Sequence, residues 1–293
     1  MITSGSVDVR AALAWAASRT GTRVAAVREL EGGSTGEMLA LRDDRGGRAV
    51  LRLITREPWR THGAALSTRE SEVQRMLVDT DVPAPRSIAL DADGRACEHP
   101  AHLMTLVPGE TDVGRVDPAS LSALADLLAT IHGVVPTVEV RPYQSWAWEA
   151  KFVVPGWARH RDVWERAFDI LRGAPPQFEP TFLHRDFALR NVLWHDGAVS
   201  GVVDWVETSI GPAWLDVAHC STNIALDHGN AAADAFADAY VSRTGCAPAG
   251  YWDVMDVVGF LPPPGTEAVA TEPEVHARRR RLEERLLAVI DRA

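Results

Sequence analysis

Residues 183–211 read LHRDFALRNVLWHDGAVSGVVDWVETSIG. An apolar run ends at TFLH (181–184), a polar loop HRDFALRN follows, and NVLW and SGVVDW read as strands. HDGA joins them, with Asp196-Gly197 as a two-residue hairpin signal. This reading puts Asp186 in the loop, Asn191 at the start of the first strand and Asp204 at the end of the second. An antiparallel hairpin brings those two strand ends together, so a carboxamide and a carboxylate can share one hard cation. Oxygen donors of this kind suit Mg²⁺, which keeps waters and adds substrate phosphates to one or two carboxylates. Asp186, without a metal partner, is left to orient a hydroxyl and accept its proton. That division of labour is the chemistry of phosphoryl transfer.

Upstream, RVAAVREL (23–30), EMLALRD (37–43) and RAVLRLI (48–54) read as strands of an antiparallel sheet. EGGSTGEMLAL (31–41) is a Gly-rich turn between two of them, where the backbone of Gly32, Gly33 and Ser34 could approach a phosphate. A plain hairpin explains it equally, and no G-K-[ST] follows to make it a P-loop. On the third strand Val50, Arg52 and Ile54 share one face, so a cation sits in an apolar row and needs a partner. In the helix expected from about Ala64 to Leu77, Glu70 falls on the stripe of Leu66, Val73 and Leu77, whereas Glu72 points away. An inward Arg52–Glu70 pair is the expectation, set against two snorkelling surface residues. Beyond the strand HLMTLV (102–107) helical patterns dominate: 121–134, Trp146 to Leu171, 229–242 and 274–290.

The motif H-R-D-x-x-x-x-N is present in full as His184, Arg185, Asp186 and Asn191. With AVLRL, TRESEVQRML, VPAPR, HLMTLVPGE, LLATIHGV and GVVDWVETSIGPAWLDVAH in order across most of the chain, the sequence resembles the aminoglycoside phosphotransferase family of antibiotic and small-molecule kinases. The resemblance implies an α+β, bilobal protein-kinase-like fold: an N-terminal antiparallel sheet lobe (1–104) and a larger helical C-terminal lobe (105–293) with hinge, catalytic loop and acceptor-binding helices. It further implies Asp186 as catalytic base, Asn191 and Asp204 as Mg²⁺ ligands, and Arg52 on the phosphates of ATP or GTP with Glu70 orienting it. Thr105 and Val107 would hydrogen-bond adenine beneath Met104, and His184 and Asp216 would support the catalytic loop. Arg52 stands where many kinases have Lys, and HRD where many relatives read HGD. Arginine keeps the charge and can pair bidentately, so neither departure argues against catalysis.

Composition supports a folded protein with a sizeable core: 293 residues, 46% hydrophobic. Net charge is −10, and the block from Asp204 to Glu274 carries eleven acids against Arg243 alone. Such a field disfavours nucleic acid and anionic membrane and attracts cations. Glu207, Asp227, Asp253 and Asp256 are therefore candidates to line a cleft for a polycationic aminoglycoside, each with a solvated helix face as its plain alternative. Trp146, Trp148, Trp157 and Trp164 would instead suit an apolar acceptor such as a macrolide, although Trp157 and Trp164 have the spacing of core residues. A peptide antibiotic or a metabolic alcohol such as choline, homoserine or an amino sugar shares the mechanism. A pseudokinase is disfavoured by the intact Asp186, Asn191 and Asp204, and the eleven residues between Asp204 and Asp216 leave no activation segment to hold a peptide. Cys97, Cys220 and Cys246 read as reduced, His132 and His195 as structural. No leader pattern or membrane-length apolar run is visible, so a cytoplasmic monomer is expected.

Overall fold

The computed structural model describes residues 3–4, 7–30, 35–263, 265–266 and 273–293. The chain divides into two compact units: the first holds 1–109, 193–196 and 200–207, the second 110–192, 197–199 and 208–293. Gly32, Gly33 and Ser34 lie outside the described residues. Among the described residues no helix is long and apolar enough to cross a membrane.

The first unit is a five-stranded antiparallel sheet with a helix on each face. Its strands are β1 (Val24–Glu29), β2 (Glu37–Asp43), β3 (Arg48–Leu53), β4 (Ser87–Asp91) and β5 (Ala101–Thr105), in the order β1-β2-β3-β5-β4. One face is apolar. Leu39, Leu51, Leu53 and Leu103 bury themselves against Ala12, Trp15 and Ala16 of helix α1 (Arg10–Thr20). That helix lacks an amphipathic stripe of polar contrast, which is why a reading by periodicity passes over it.

The opposite face meets helix α2 (Gly63–Leu77) and carries a polar row beside apolar contacts such as Ile54 with Leu66. Arg52 is the cross-strand partner of both Met38 and His102, so all three side chains stand on one face in a row. Glu70 of α2 comes down onto that row. Arg52 Nη1 donates to Glu70 Oε1 at 3.0 Å, His102 Nδ1 lies 3.0 Å from Glu70 Oε2, and Arg52 Nε points at Met38 Sδ at 3.2 Å. The expected inward pair therefore forms, and His102 completes it. Glu72 is exposed, as the stripe required.

The second unit is built around helix α5 (Trp214–His228), buried from Trp214 to Leu226. It packs against α6 (Asn230–Thr244), α7 (Gly250–Gly259) and α8 (Pro273–Val289), while α3 (Pro118–His132) packs on α6. Asp117 caps α3, accepting from the N–H groups of Ala119 and Ser120 at 3.1 Å, with Pro118 at the first helical position. The helix expected over Trp146 to Leu171 is shorter than its periodicity: only α4 (Arg161–Arg172) is α-helical, preceded by a 3-10 turn at Glu149–Lys151. Pro155-Gly156 breaks the run. Short strands β6 (Thr181–Leu183) and β9 (Ser209–Gly211) pair antiparallel in this unit; β7 (Val192–His195) and β8 (Ala198–Val202), most of whose residues count with the first unit, form the hairpin expected at Asp196-Gly197, whose φ values are +49° and +81°.

The buried Glu70 is the anion on which two buried basic side chains depend, so Glu70→Ala should cost about 3–5 kcal/mol in denaturant unfolding. Glu72→Ala, on the exposed side of the same helix, should stay within about 0.5 kcal/mol of the parent.

Candidate active site

Within the second unit the loop after β6 is fixed through its backbone. Asp216, fully buried near the start of α5, accepts from the N–H of His184 through Oδ2 at 2.8 Å and from the N–H of Arg185 through Oδ1 at 2.7 Å. His132 Nε2 lies 3.2 Å from Asp216 Oδ2, and its Nδ1 lies 2.6 Å from the Tyr240 hydroxyl. Burial works against ionisation of Asp216, but the His132 hydrogen bond, with charges from His132, His184 and Arg185, holds the carboxyl below the usual range. Arg185 sits in the left-handed region at φ +74°, a strained conformation for a non-glycine residue. The anchored N–H groups at 184 and 185 hold it there, and its guanidinium lies 3.9 Å from the centre of the Trp146 ring.

Asp186 follows at once, and both of its oxygens are engaged. Oδ1 lies 3.0 Å from His219 Nε2 and also accepts from Arg190 Nη2; Oδ2 accepts from Asn191 Nδ2 at 3.0 Å. Burial would raise the Asp186 pKa, but the His219 hydrogen bond and charge, helped by Arg190 and His184, hold it well below the usual carboxylate range. Asn191, expected at the start of the strand, closes a 3-10 turn (Leu189–Asn191) instead, and β7 begins one residue later. Its Nδ2 also donates to the Asp186 carbonyl at 2.8 Å. With both amide bonds directed at oxygens, the Asn191 side-chain carbonyl is left as an oxygen donor.

In the first unit, Asp204 stands two residues beyond β8 rather than at its last position, in the left-handed region at φ +69°. Its Oδ1 lies 3.0 Å from Arg52 Nη2. Arg52 thus bridges Glu70 and Asp204 with its two terminal nitrogens. Burial works against ionisation of Glu70, yet the Arg52 charge and the His102 hydrogen bond prevail and lower its pKa. Arg69 Nη1 donates to the Val206 carbonyl at 2.5 Å, tying the segment after Asp204 to α2. Among the described residues no group of three or more His, Cys, Asp or Glu forms a metal nest. Taken singly, the Asp204 carboxylate and the Asn191 carboxamide oxygen are each hard donors of the type that suits Mg²⁺.

Met104 is buried, with Gln74 Nε2 at 3.3 Å from its sulfur. The Thr105 N–H is already engaged, donating to the Arg86 carbonyl at 2.9 Å.

The four acidic candidates for a polycation cleft fare unequally. Asp253 is 2% exposed and lies 3.9 Å from the buried Arg285, and burial, only partly offset by Arg285, pushes its carboxyl up to about 6. Asp256 is 3% exposed and lies 3.0 Å from His219 Nδ1. Both were expected to line a carboxylate cleft. They are interior instead, because α7 buries the face that carries them. Asp227 is at the surface in an ion pair with Arg278, and Glu207 is half-buried in the turn Trp205–Glu207. Trp157 and Trp164 meet edge to face at 5.7 Å with Trp164 fully buried, which is core packing. Sequence reasoning passed over His102, Arg190 and His219. Each is a lone basic residue without a motif, and only i, i+3 spacing from Asp216 signalled His219.

His219 also sets a pH response. Burial would lower its pKa, but the charges and hydrogen bonds of Asp256 and Asp186 push it up to about 9. A folded-state pKa above the unfolded value stabilises fully below about 6.5 and is lost as pH rises through about 9. The melting temperature should therefore fall between pH 7 and 9.5, and the fall should be shallower in His219→Gln.

A family model described as the APH phosphotransferase enzyme family matches residues 26–257. Among solved structures, the chain is similar to a protein from Ralstonia eutropha JMP134 provisionally assigned as an aminoglycoside phosphotransferase (TM-score 0.66, 21% identity, covering 97% of this chain and 98% of that one). It is similar to a macrolide 2'-phosphotransferase from Brachybacterium faecium (0.63, 19%, 94% and 97%). It is also similar to an aminoglycoside phosphotransferase, APH(4)-Ia, in ternary complex with ADP and hygromycin B (0.62, 15%, 96% and 98%). At these identities the likeness speaks for the fold, which is the kinase-like α+β architecture expected. No curated protein matches the sequence.

Proposed function

The chain belongs to the APH phosphotransferase enzyme family, and from that premise we propose that it moves the γ-phosphate of ATP or GTP to a hydroxyl of a small-molecule antibiotic, an aminoglycoside first. The observation that carries this reading is Asp186: a partly buried, ionised carboxylate on a loop whose backbone is pinned by Asp216 and whose side chain is oriented by Asn191. A carboxylate so held is suited to receiving an alcohol in line with a phosphoryl group.

Roles follow residue by residue. Asp186 orients the acceptor hydroxyl. As the new O–P bond forms and the bond to the departing nucleoside diphosphate breaks, the hydroxyl proton passes to Asp186. Arg52 meets nucleotide phosphate and Glu70 with His102 fixes it. The Thr105 carbonyl and the Val107 backbone take the base beside Met104, and Gly32, Gly33 and Ser34 cover the phosphates. Asn191 and Asp204 contribute the oxygen ligands of Mg²⁺, which when bound neutralises charge on the phosphates. Residues 1–104 serve the nucleotide and 105–293 the acceptor.

For the acceptor, the net charge of −10 favours a cation. With Asp253 and Asp256 in the interior, Glu207 and Asp227 remain as the acidic candidates of the original four. The aromatic alternative loses Trp164 to the core, while Trp157 stays half-buried against it.

Nucleotide consumption with Mg²⁺-ATP and Mg²⁺-GTP, measured against aminoglycosides, macrolides, peptide antibiotics and small metabolic alcohols, tests the proposal. Stimulation by an aminoglycoside is expected, and stimulation by another class alone would reassign the acceptor. Asp186→Ala should lower turnover by at least about a thousandfold while nucleotide still binds, and near-normal turnover would remove Asp186 from its role. Asp204→Ala should abolish the Mg²⁺-dependent part of nucleotide affinity in titration calorimetry.

A further inference from the structure

Helix α5 presents three polar side chains at i, i+3 and i+7, one stripe of a helix that is otherwise core. Each grips a different part of the loop 184–191. Asp216 takes the backbone N–H groups of His184 and Arg185, His219 meets the Asp186 carboxylate, and Asn223 Oδ1 accepts from Arg190 Nη1 at 2.8 Å. Asn223 in turn donates to the His219 carbonyl at 2.8 Å.

His219 is the unusual member. It is 3% exposed, and its two ring nitrogens each lie 3.0 Å from a carboxylate oxygen, Nε2 from Asp186 Oδ1 and Nδ1 from Asp256 Oδ1. Asn223 Nδ2 also lies 3.1 Å from Nε2, but a neutral imidazole can donate to only one of the two carboxylates, so the pair of carboxylate contacts is that of an imidazolium with both N–H bonds used. The ring is walled by Phe260, stacked on it at 5.5 Å, and by Trp146, edge-on at 5.1 Å. The charged or titratable groups facing it are Asp186 with Arg190 beyond it from the loop, and Asp256 from α7. Trp146 and Phe260 add none, and Asn223 shares its own helix.

We propose that His219 is a positioning residue for the phosphotransfer reaction: clamped by Asp256, it occupies Asp186 Oδ1 together with Arg190 and leaves Oδ2, steadied by Asn191, as the oxygen that receives the acceptor hydroxyl. The inference rests on the reading of Asp186 as the residue that meets the acceptor. Two N–H donors saturate Oδ1, whereas Oδ2 has one and keeps a lone pair directed elsewhere. His219 touches neither nucleotide nor acceptor in this account. It acts by fixing which carboxylate oxygen faces the reaction, and Asp256 acts through it.

The test has two arms. Nitrogen-15 spectra of histidine-labelled full-length protein should show both His219 nitrogens protonated at pH 7, with the titration midpoint moved down in Asp256→Asn. A His219 that is neutral at pH 7 and indifferent to Asp256→Asn overturns the proposal whether or not the protein turns over nucleotide. In the second arm, consumption of Mg²⁺-ATP and Mg²⁺-GTP is followed with water and with the alcohol panel as acceptors. His219→Ala should lower kcat by about a hundredfold, the scale of a misplaced reacting group. Its calorimetric nucleotide Kd should stay within twofold of the parent. Asp256→Asn, which keeps an acceptor for Nδ1, should lower kcat by less and serves if His219→Ala fails to fold. A folded His219→Ala with kcat within twofold of the parent overturns the proposal. A parent inert with every acceptor tells instead against the phosphotransferase reading, and leaves the spectroscopic arm to decide the geometry.

Discussion

Taking an ionised carboxylate out of water is tolerable only when its charge is answered and its lone pairs are filled, and three carboxylates show how: Glu70 and Asp216, both buried, and Asp186, partly buried. Much of the surrounding architecture is the set of answers. Glu70 brings Arg52 and His102 to one spot on the sheet, Asp216 fixes two consecutive peptide N–H groups, and Asp186 gathers His219, Arg190 and Asn191. In each case desolvation opposes the charge and named partners overcome it. The carboxylates stay ionised and their oxygens stay aimed, which suits them to organise phosphates and hydroxyls rather than to hold the fold by net attraction.

Two of the four non-glycine residues with positive φ among the described residues fit the same logic. Arg185 and Asp204 are non-glycine residues at φ +74° and +69°, each next to or at a candidate site position. Such conformations cost about 1–3 kcal/mol apiece and persist where the surroundings over-determine them. For Arg185 the restraint is Asp216 below and the Trp146 ring beside it; for Asp204 it is Arg52. Arginine in place of lysine at position 52 matters here. A guanidinium can send separate N–H bonds to Glu70 and Asp204 and a third toward Met38 Sδ, whereas an ammonium is a point charge at the end of a flexible stem.

What could be read from the sequence was whatever local periodicity or a short motif writes down. Alternation in RAVLRL placed Arg52 on the α2 face, helical spacing placed Glu70 opposite it, and HRDFALRN with DG set out the loop and hairpin. The same local rules failed where tertiary context decided. Helix α1 carries no strong polar contrast, and the run from Trp146 promised a helix that Pro155-Gly156 interrupts. The acidic block suggested carboxylates lining a cleft, but charge counts do not distinguish a carboxylate in water from one under a buried histidine, and Asp253 and Asp256 are interior.

The residues invisible at that level are those that act on other residues. His102 and His219 have no motif because their partners come from elsewhere in the chain: His102 meets Glu70 thirty-two positions away, and His219 meets Asp186 thirty-three away. Their requirement is geometric, a basic ring at hydrogen-bond distance from a particular oxygen, and spacing along the chain cannot express it. Asp216 shows the intermediate case. Its place after Gly211-Pro212 marks it as a support, yet only the fold reveals that the support is a pair of peptide N–H bonds. From Asp216 the helix period then carries the eye to His219 one turn on and Asn223 one turn further. One buried stripe on α5 therefore fixes the loop backbone at 184–185, the carboxylate at 186 and the guanidinium at 190, and the orientation of Asp186 is a property of the helix as much as of the loop that bears it.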